Sequence, residues 1–257
     1  MFPNKRNPYF GRFVEANFAG LSKKFDVDLI KIDEGNVLIK LFNYLILYCR
    51  IFSKYKKYDL IYFHFPTRTS LPLLFIEAPF ILNFHGSDIN SNSIINKLLI
   101  LLLKNKWKKS LLNIVPSIDL GDILKKLINR NYFVSPSSGV PDFFYNYYSK
   151  EIHKESSIFL SSILEEKGVF DLFQAILELQ KNNFYIRLDV YGHLPVKNLS
   201  RFNQYLNKTK GYIKYKGMID HKKIPQIISK HKVFIFPSRR ESLGLVGLES
   251  LAVGVPV

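Results

Sequence analysis

Apolar positions along the chain fall into two kinds of segment. Short apolar runs at 26–32, 59–65, 80–84, 111–115 and 131–135 predict strands, and a second set follows at 157–161, 185–191, 212–215 and 233–236. Most of these runs are continuous rather than alternating. Strands buried on both faces look like that, and such strands belong to parallel sheets covered by helices. Longer segments with helical spacing lie between them, at 11–24, 36–54, 93–109, 118–129, 169–181, 199–208, 222–230 and 245–253. Strands alternating with helices predict βαβ units and doubly wound α/β sheets. The segment 137–155 carries Gly139, Pro141, aromatics and mixed charge without a clear period, and reads as a linker. It divides the chain into two expected domains, 1–150 and 151–257, both within the usual size range. No internal repeat is visible.

Several strands end in polar or Gly/Pro-containing turns, and in open α/β sheets ligands bind at the carboxyl ends of strands. The run 59–65 leads into Pro66-Thr67, and 80–84 into His85-Gly86-Ser87-Asp88. The run 111–115 leads into Pro116-Ser117, and 233–236 into Pro237-Ser238-Arg239-Arg240-Glu241-Ser242. After this last turn the pattern predicts a helix opened at Gly244 and stopped at Gly254. Glu241 falls in the loop and Glu249 near the second helical turn. The backbone N–H groups of Gly244, Leu245 and Val246 are orphan donors at a helix start, fit for an anion or a hydroxyl. Read without any family in view, the same stretch is a capped surface helix with two solvated acids.

Composition narrows the class. The chain has 257 residues, 47% of them hydrophobic, which excludes a disordered polymer. Its single cysteine excludes a disulfide scaffold and a cysteine zinc site, and fits a reducing compartment. Cys49 lies in an apolar helical run and is expected to be buried and inert. Residues 1–20 have no apolar leader core, and no run approaches the ~18 residues of a membrane span. The expected location is cytoplasmic. Neither a G-x-G-x-x-G nor a Walker A loop is present. His153, His193, His221 and His231 are expected at the surface or in packing, with no metal-ligand spacing, and His64 in a structural role. His85 reads equally as a ligand contact or a turn residue. No metal and no resident cofactor is expected.

Lys and Arg number 37 against 21 acids, a net charge of +16. Net charge speaks to partners rather than fold. No nucleic-acid motif accompanies it, so nucleic acid is not an expected partner. The charge gathers in 36–57 (Lys40, Arg50, Lys54, Lys56, Lys57) and 93–109 (Lys104, Lys106, Lys108, Lys109, beside Trp107). Basic amphipathic segments with Trp at the boundary suit an anionic membrane surface. A core helix with a solvated basic end fits them equally.

The run Pro237–Val257 resembles the donor-sugar motif of retaining glycosyltransferases of family four, which have the GT-B fold. That motif has Pro-Ser, two residues, Glu, a Gly-containing loop and a second Glu after seven residues. Glu241 and Glu249 match both acids, and Gly254-Val255-Pro256-Val257 matches its usual close. Other segments follow the family's order: Asn7-Pro8-Tyr9-Phe10-Gly11-Arg12, His85-Gly86-Ser87-Asp88, Val115-Pro116-Ser117, Glu166-Lys167-Gly168-Val169, Tyr191-Gly192 and Lys216-Gly217. The family usually places Gly-Arg just after the first strand of its second domain. Here those positions are Ser161 and Ser162, and Lys167 is the remaining nearby cation; Lys is a point charge where Arg is bidentate.

The resemblance implies two Rossmann-like parallel-sheet domains facing a cleft, the second incomplete. It implies a retaining glycosyltransferase that takes a nucleotide diphosphate sugar and builds a surface polysaccharide or lipopolysaccharide on a glycan or lipid-linked acceptor. In it Glu249 would hold the ribose hydroxyls. Glu241, with the N–H groups at Gly244, Leu245 and Val246, would hold the sugar. Lys167, Gly11 and Ser162 would line the diphosphate, His85 would contact the donor sugar or acceptor, and Asp88 would orient its loop. Transfer would proceed without a metal, at the inner face of the cell membrane. Relative to the family the chain starts after the first strand and stops after Glu249, so it is expected to be a fragment. The competing expectation is a catalytically inactive GT-B module used for binding or scaffolding; a sugar-nucleotide epimerase is a further one.

Overall fold

The computed structural model describes residues 11–32, 37–91, 93–136, 139–147, 156–239 and 241–257. They form two compact units, Met1–Ser138 and Gly139–Val257.

The first unit runs α1 (Arg12–Leu21), α2 (Val37–Lys54), β1 (Ile61–His64), α3 (Pro66–Thr69), β2 (Phe80–Asn83), α4 (Ile94–Trp107), β3 (Leu112–Val115), α5 (Ile118–Ile128) and β4 (Phe133–Val134). The strands pair in parallel in the order β1-β2-β3-β4. Ile61 stands opposite Phe80, Ile81 opposite Leu112 and Ile114 opposite Phe133. Phe63, Leu82, Phe84, Val115 and Leu124 form the core with Leu47 and Ile51 of α2. Helix α5 shows its local signals plainly. The Ser117 hydroxyl accepts from the Leu120 N–H, and Asn129 ends the helix in the left-handed region.

The second unit runs β5 (Ser156–Leu160), α6 (Val169–Lys181), β6 (Arg187–Tyr191), α7 (Val196–Lys208), β7 (Ile213–Gly217), α8 (Ile224–Ile228), β8 (Val233–Phe234) and α9 (Leu245–Ala252). Its parallel order is β7-β6-β5-β8. The chain thus builds outward from β5 in one direction and then crosses to its other side. That reversal between β5 and β8 is a topological switch point, and open α/β sheets bind ligands outside the carboxyl ends of the strands there. Phe159 packs on one face with Phe173, Val190 and Phe202. Ile158 and Leu160 pack on the other with Ile228, Phe234 and Val253. Burial on both faces is why these strands read as unbroken apolar runs.

Four expectations change. Residues 26–32 form no strand. Among the described residues β1 pairs only with β2, and Ile30 and Ile32 instead pack against the first core. An apolar run becomes a strand only where a neighbour offers a ladder. Pro66-Thr67, read as a turn, opens a helical turn over Pro66–Thr69. Cys49 is exposed: α2 buries Leu47 and Ile51, and a residue two positions on from Leu47 lies on the opposite side of a helix. Trp107 is no boundary anchor, since it is fully buried, edge-on to Phe84 at 5.3 Å, with its Nε1–H donated to the Ser70 hydroxyl at 2.9 Å.

No described helix is long and apolar enough to cross a membrane.

Candidate functional site

The polar turns end at two places, one in each unit. In the second, the loop after β8 is laced to the start of α6. Gly168 opens that helix with φ 67°, a left-handed conformation that side chains disfavour. A Cβ there would lie 2.0 Å from the Pro237 carbonyl oxygen, so only glycine lets the two segments meet. The Arg239 N–H donates to the Glu166 carbonyl at 3.0 Å.

This lacing places Lys167 against Glu241, with Nζ to Oε1 at 2.6 Å. The Ser238 hydroxyl donates to the same oxygen at 2.8 Å. Both ionic side chains are about three-quarters covered. The pair is therefore positional more than stabilising, since partly exposed pairs contribute about 0–1 kcal/mol. Arg239 turns outward and holds Asp171 through two parallel bonds of 2.9 and 2.7 Å. Ser162 follows β5 at the same end of the sheet and is half-buried.

Three residues beyond Glu241, Gly244 caps α9 with φ 72°. A Cβ there would meet the Phe236 ring at 2.9 Å. The first N–H groups of α9, those of Leu245 and Val246, thus begin directly beside Glu241. One turn further, Glu249 is buried on α9 and its Oε1 lies 3.1 Å from His221 Nε2. His221 itself packs against the rings of Phe143 and Phe144. The expectation of a capped surface helix with two solvated acids does not hold, because both acids have partners and one is buried.

In the first unit Gly11 starts α1 in the left-handed region, with φ 71°. Two residues on, Phe13 lies 4.6 Å from the His85 ring. His85 also meets Phe65 at 4.4 Å and stacks on His64, the planes inclined by 11°. His64 Nδ1 and His85 Nε2 are 3.0 Å apart, so one imidazole donates to the other. Burial pushes His85 down to about 3, helped by the His64 charge, and pushes His64 down to about 4. Both rings are therefore neutral near pH 7. The backbone N–H of His85 donates to Asp88 Oδ2 at 2.8 Å, and the Thr67 hydroxyl to the Asp88 carbonyl at 2.7 Å. Burial raises the Asp88 carboxyl to about 7, against the His85 N–H, which favours the carboxylate.

The structure thus gathers Lys167, Glu241, Gly244, Leu245, Val246 and Glu249 within one unit, and Gly11, His85 and Asp88 within the other. His221 and His64 are the partners that sequence reading missed. Each follows or ends a strand at its carboxyl end, the position that could have singled them out. Among the described residues no group of His, Cys, Asp and Glu could hold a metal ion.

Two parallel α/β units of this topology are the fold of the GT-B glycosyltransferases. The structure is similar to Anabaena HepE in complex with UDP and glucose, with TM-score 0.64 and 17% identity, covering 82% of this chain and 61% of that one. It is also similar to sucrose-phosphate synthase from Thermosynechococcus elongatus, with TM-score 0.70 and 17% identity, covering 99% and 75%. Residues 149–257, within the second unit, match the family Glycosyl transferases group 1. Among curated relatives, the capsular polysaccharide biosynthesis glycosyltransferase CapM of Staphylococcus aureus is 29% identical over 100 residues, 38% of this chain and 26% of CapM. TuaC of Bacillus subtilis (strain 168), named for teichuronic acid biosynthesis, is 26% identical over 213 residues, 77% of this chain and 52% of TuaC. The chain thus spans about a quarter to a half of the length of these two relatives.

Proposed function

We propose that this chain belongs to a retaining glycosyltransferase that moves a sugar from a nucleotide diphosphate sugar to a glycan or lipid-linked acceptor in surface polysaccharide or lipopolysaccharide synthesis. The observation that carries the reading is the joining of Glu241, held by Lys167 and Ser238, to the start of α9 and to the buried Glu249. The names of the relatives CapM and TuaC support the polysaccharide context, and the UDP and glucose of HepE support the donor class.

In this reading Glu249 accepts hydrogen bonds from the two ribose hydroxyls, with His221 setting its orientation. Glu241 and the N–H groups of Gly244, Leu245 and Val246 hold sugar hydroxyls. Lys167 offsets charge growing on the leaving diphosphate, the kind of electrostatic stabilisation that contributes most to such reactions. His85 meets the sugar or the acceptor as a neutral ring. Asp88 fixes the backbone of the His85 loop. No metal takes part, and the protein works on the cytoplasmic side of the membrane.

Titration calorimetry with UDP-glucose, UDP-N-acetylglucosamine and GDP-mannose tests the reading. At least one donor should bind, and Glu249→Gln should weaken it tenfold or more with an unchanged circular dichroism spectrum. Absence of binding by every donor would sink it. Ser162, where the family has Arg, favours a second reading, a binding or scaffold module without turnover. Donor binding without sugar release or transfer would support that reading instead.

A further inference from the structure

Helix α4 is apolar on both sides. Its inner face buries Ile100, Leu103 and Trp107. Its outer face presents Ile94, Ile95, Leu98, Leu101 and Leu102, each 57–75% exposed. These five follow the i, i+4, i+7 and i, i+3, i+7 spacings, so they form one continuous stripe. A helix that is apolar all round is at home in a protein core or in lipid, yet half of this one faces outward.

Helix α2 repeats the pattern. It buries Leu47 and Ile51 and exposes Leu41, Phe42, Leu45 and Phe52. Phe52 touches the 77%-exposed Phe75 at 6.2 Å. Both helices pack against the short segment 66–74, so the two stripes belong to one layer of the first unit. Scattered exposed apolar residues are ordinary, but stripes of this length mark an interaction surface.

Charge selects the occupant. No acid occurs between Glu34 and Asp59 or between Asp88 and Asp119. Those stretches carry Arg50 and Lys54 on α2, and Lys97, Lys104, Lys108 and Lys109 on or beside α4. Lys97, Lys108 and Lys109 are exposed. A second copy set on the same face would bring these cations together with no acid to meet them. A bilayer with anionic headgroups accepts the stripe in its acyl boundary and the lysines at its surface.

We propose that the outer faces of α2 and α4 dock on an anionic lipid bilayer. This deepens the proposed function by giving the peripheral location a surface. Its evidence is independent of the donor site, and so is its test. Without nucleotide sugar, the 257-residue chain is floated with vesicles of phosphatidylcholine alone or with about 30% phosphatidylglycerol. The chain should float with the anionic vesicles and not the neutral ones. Roughly 0.5 M NaCl should release most of it. Leu98→Gln with Leu102→Gln should lower the partition at least tenfold, and Lys97→Glu with Lys108→Glu about twentyfold or more. These side chains are exposed, so the variants should keep the parent's circular dichroism and Trp107 fluorescence. Equal flotation of parent and variants, or flotation indifferent to anionic lipid, overturns the proposal. So does a concentration-dependent dimer in sedimentation velocity that Leu98→Gln with Leu102→Gln abolishes.

Discussion

At the scale of single residues, burial decides what the titratable groups can do. Asp88, His64 and His85 sit within one cluster of the first unit, and burial moves each toward its uncharged form. The signs differ. The two histidines are lowered from 6.5 to about 4 and 3, so the unfolded chain binds more protons between about pH 4 and 6.5, and their contribution to stability rises with pH there. Asp88 is raised from 3.8 to about 7, so the folded chain binds more protons over that range and its contribution falls as pH rises. Two protons against one leave a net rise of about 1.4 kcal/mol per pH unit between pH 4 and 6.5. Trp107 is the chain's single Trp and lies in this unit's core, so its fluorescence during urea unfolding reports on this unit. Asp88→Asn removes the opposing titration. Relative to the parent it should gain about 2–3 kcal/mol on going from pH 5 to pH 8. A constant difference across that range would show that Asp88 does not titrate as a buried acid. The residues of this cluster were unequally visible beforehand. His85 and Asp88 stand in a turn after an apolar run, whereas His64 gains its meaning only from a ring 21 positions away.

At the scale of elements, local signals set most boundaries. The apolar runs before the turns at 66, 85, 116, 161 and 237 all became parallel strands, and the helical segments expected after the last four became helices. The run at 26–32, with Asp26, Asp28 and Lys31 among its apolar residues, formed no strand, because pairing is a property of two segments. Backbone approach is equally non-local. Gly168 reads in the sequence as a helix start. Its need for glycine comes from Pro237, whose carbonyl fills the space a Cβ would take. Gly168→Ala should therefore cost about 2–4 kcal/mol, from left-handed strain plus a clash with backbone that cannot yield. It should also weaken any donor bound beside Glu241, because Lys167, next to Gly168, is the cation that holds Glu241. Gly20 in α1 has open space around its Cα. Gly20→Ala should be neutral or stabilising by about 0.5–1 kcal/mol. Thermal unfolding of the two variants checks the contrast, and equal effects would refute the close-approach argument.

At the scale of the whole molecule, the excess of basic residues sets the solution behaviour. A net charge of +16 repels itself, and salt screens that repulsion within about 10 Å at 0.1 M. Raising NaCl from about 0.05 to 0.5 M should raise the Tm by a few degrees. A Tm that falls would show that attractive pairs such as Arg239–Asp171 and Arg201–Glu165 outweigh the repulsion. The sequence alone determined the class of fold, the alternation of elements, and the acids and glycines of the last motif. Each of these is carried by nearest neighbours, hydrophobic period and turn chemistry. Tertiary structure decided the rest. It chose which apolar runs found a partner strand. It buried Trp107 and left the stripes of α2 and α4 outside. It joined Glu249 to His221 and His85 to His64. Sequence spacing places a side chain on its own element. What that side chain meets depends on segments far along the chain that share the same space.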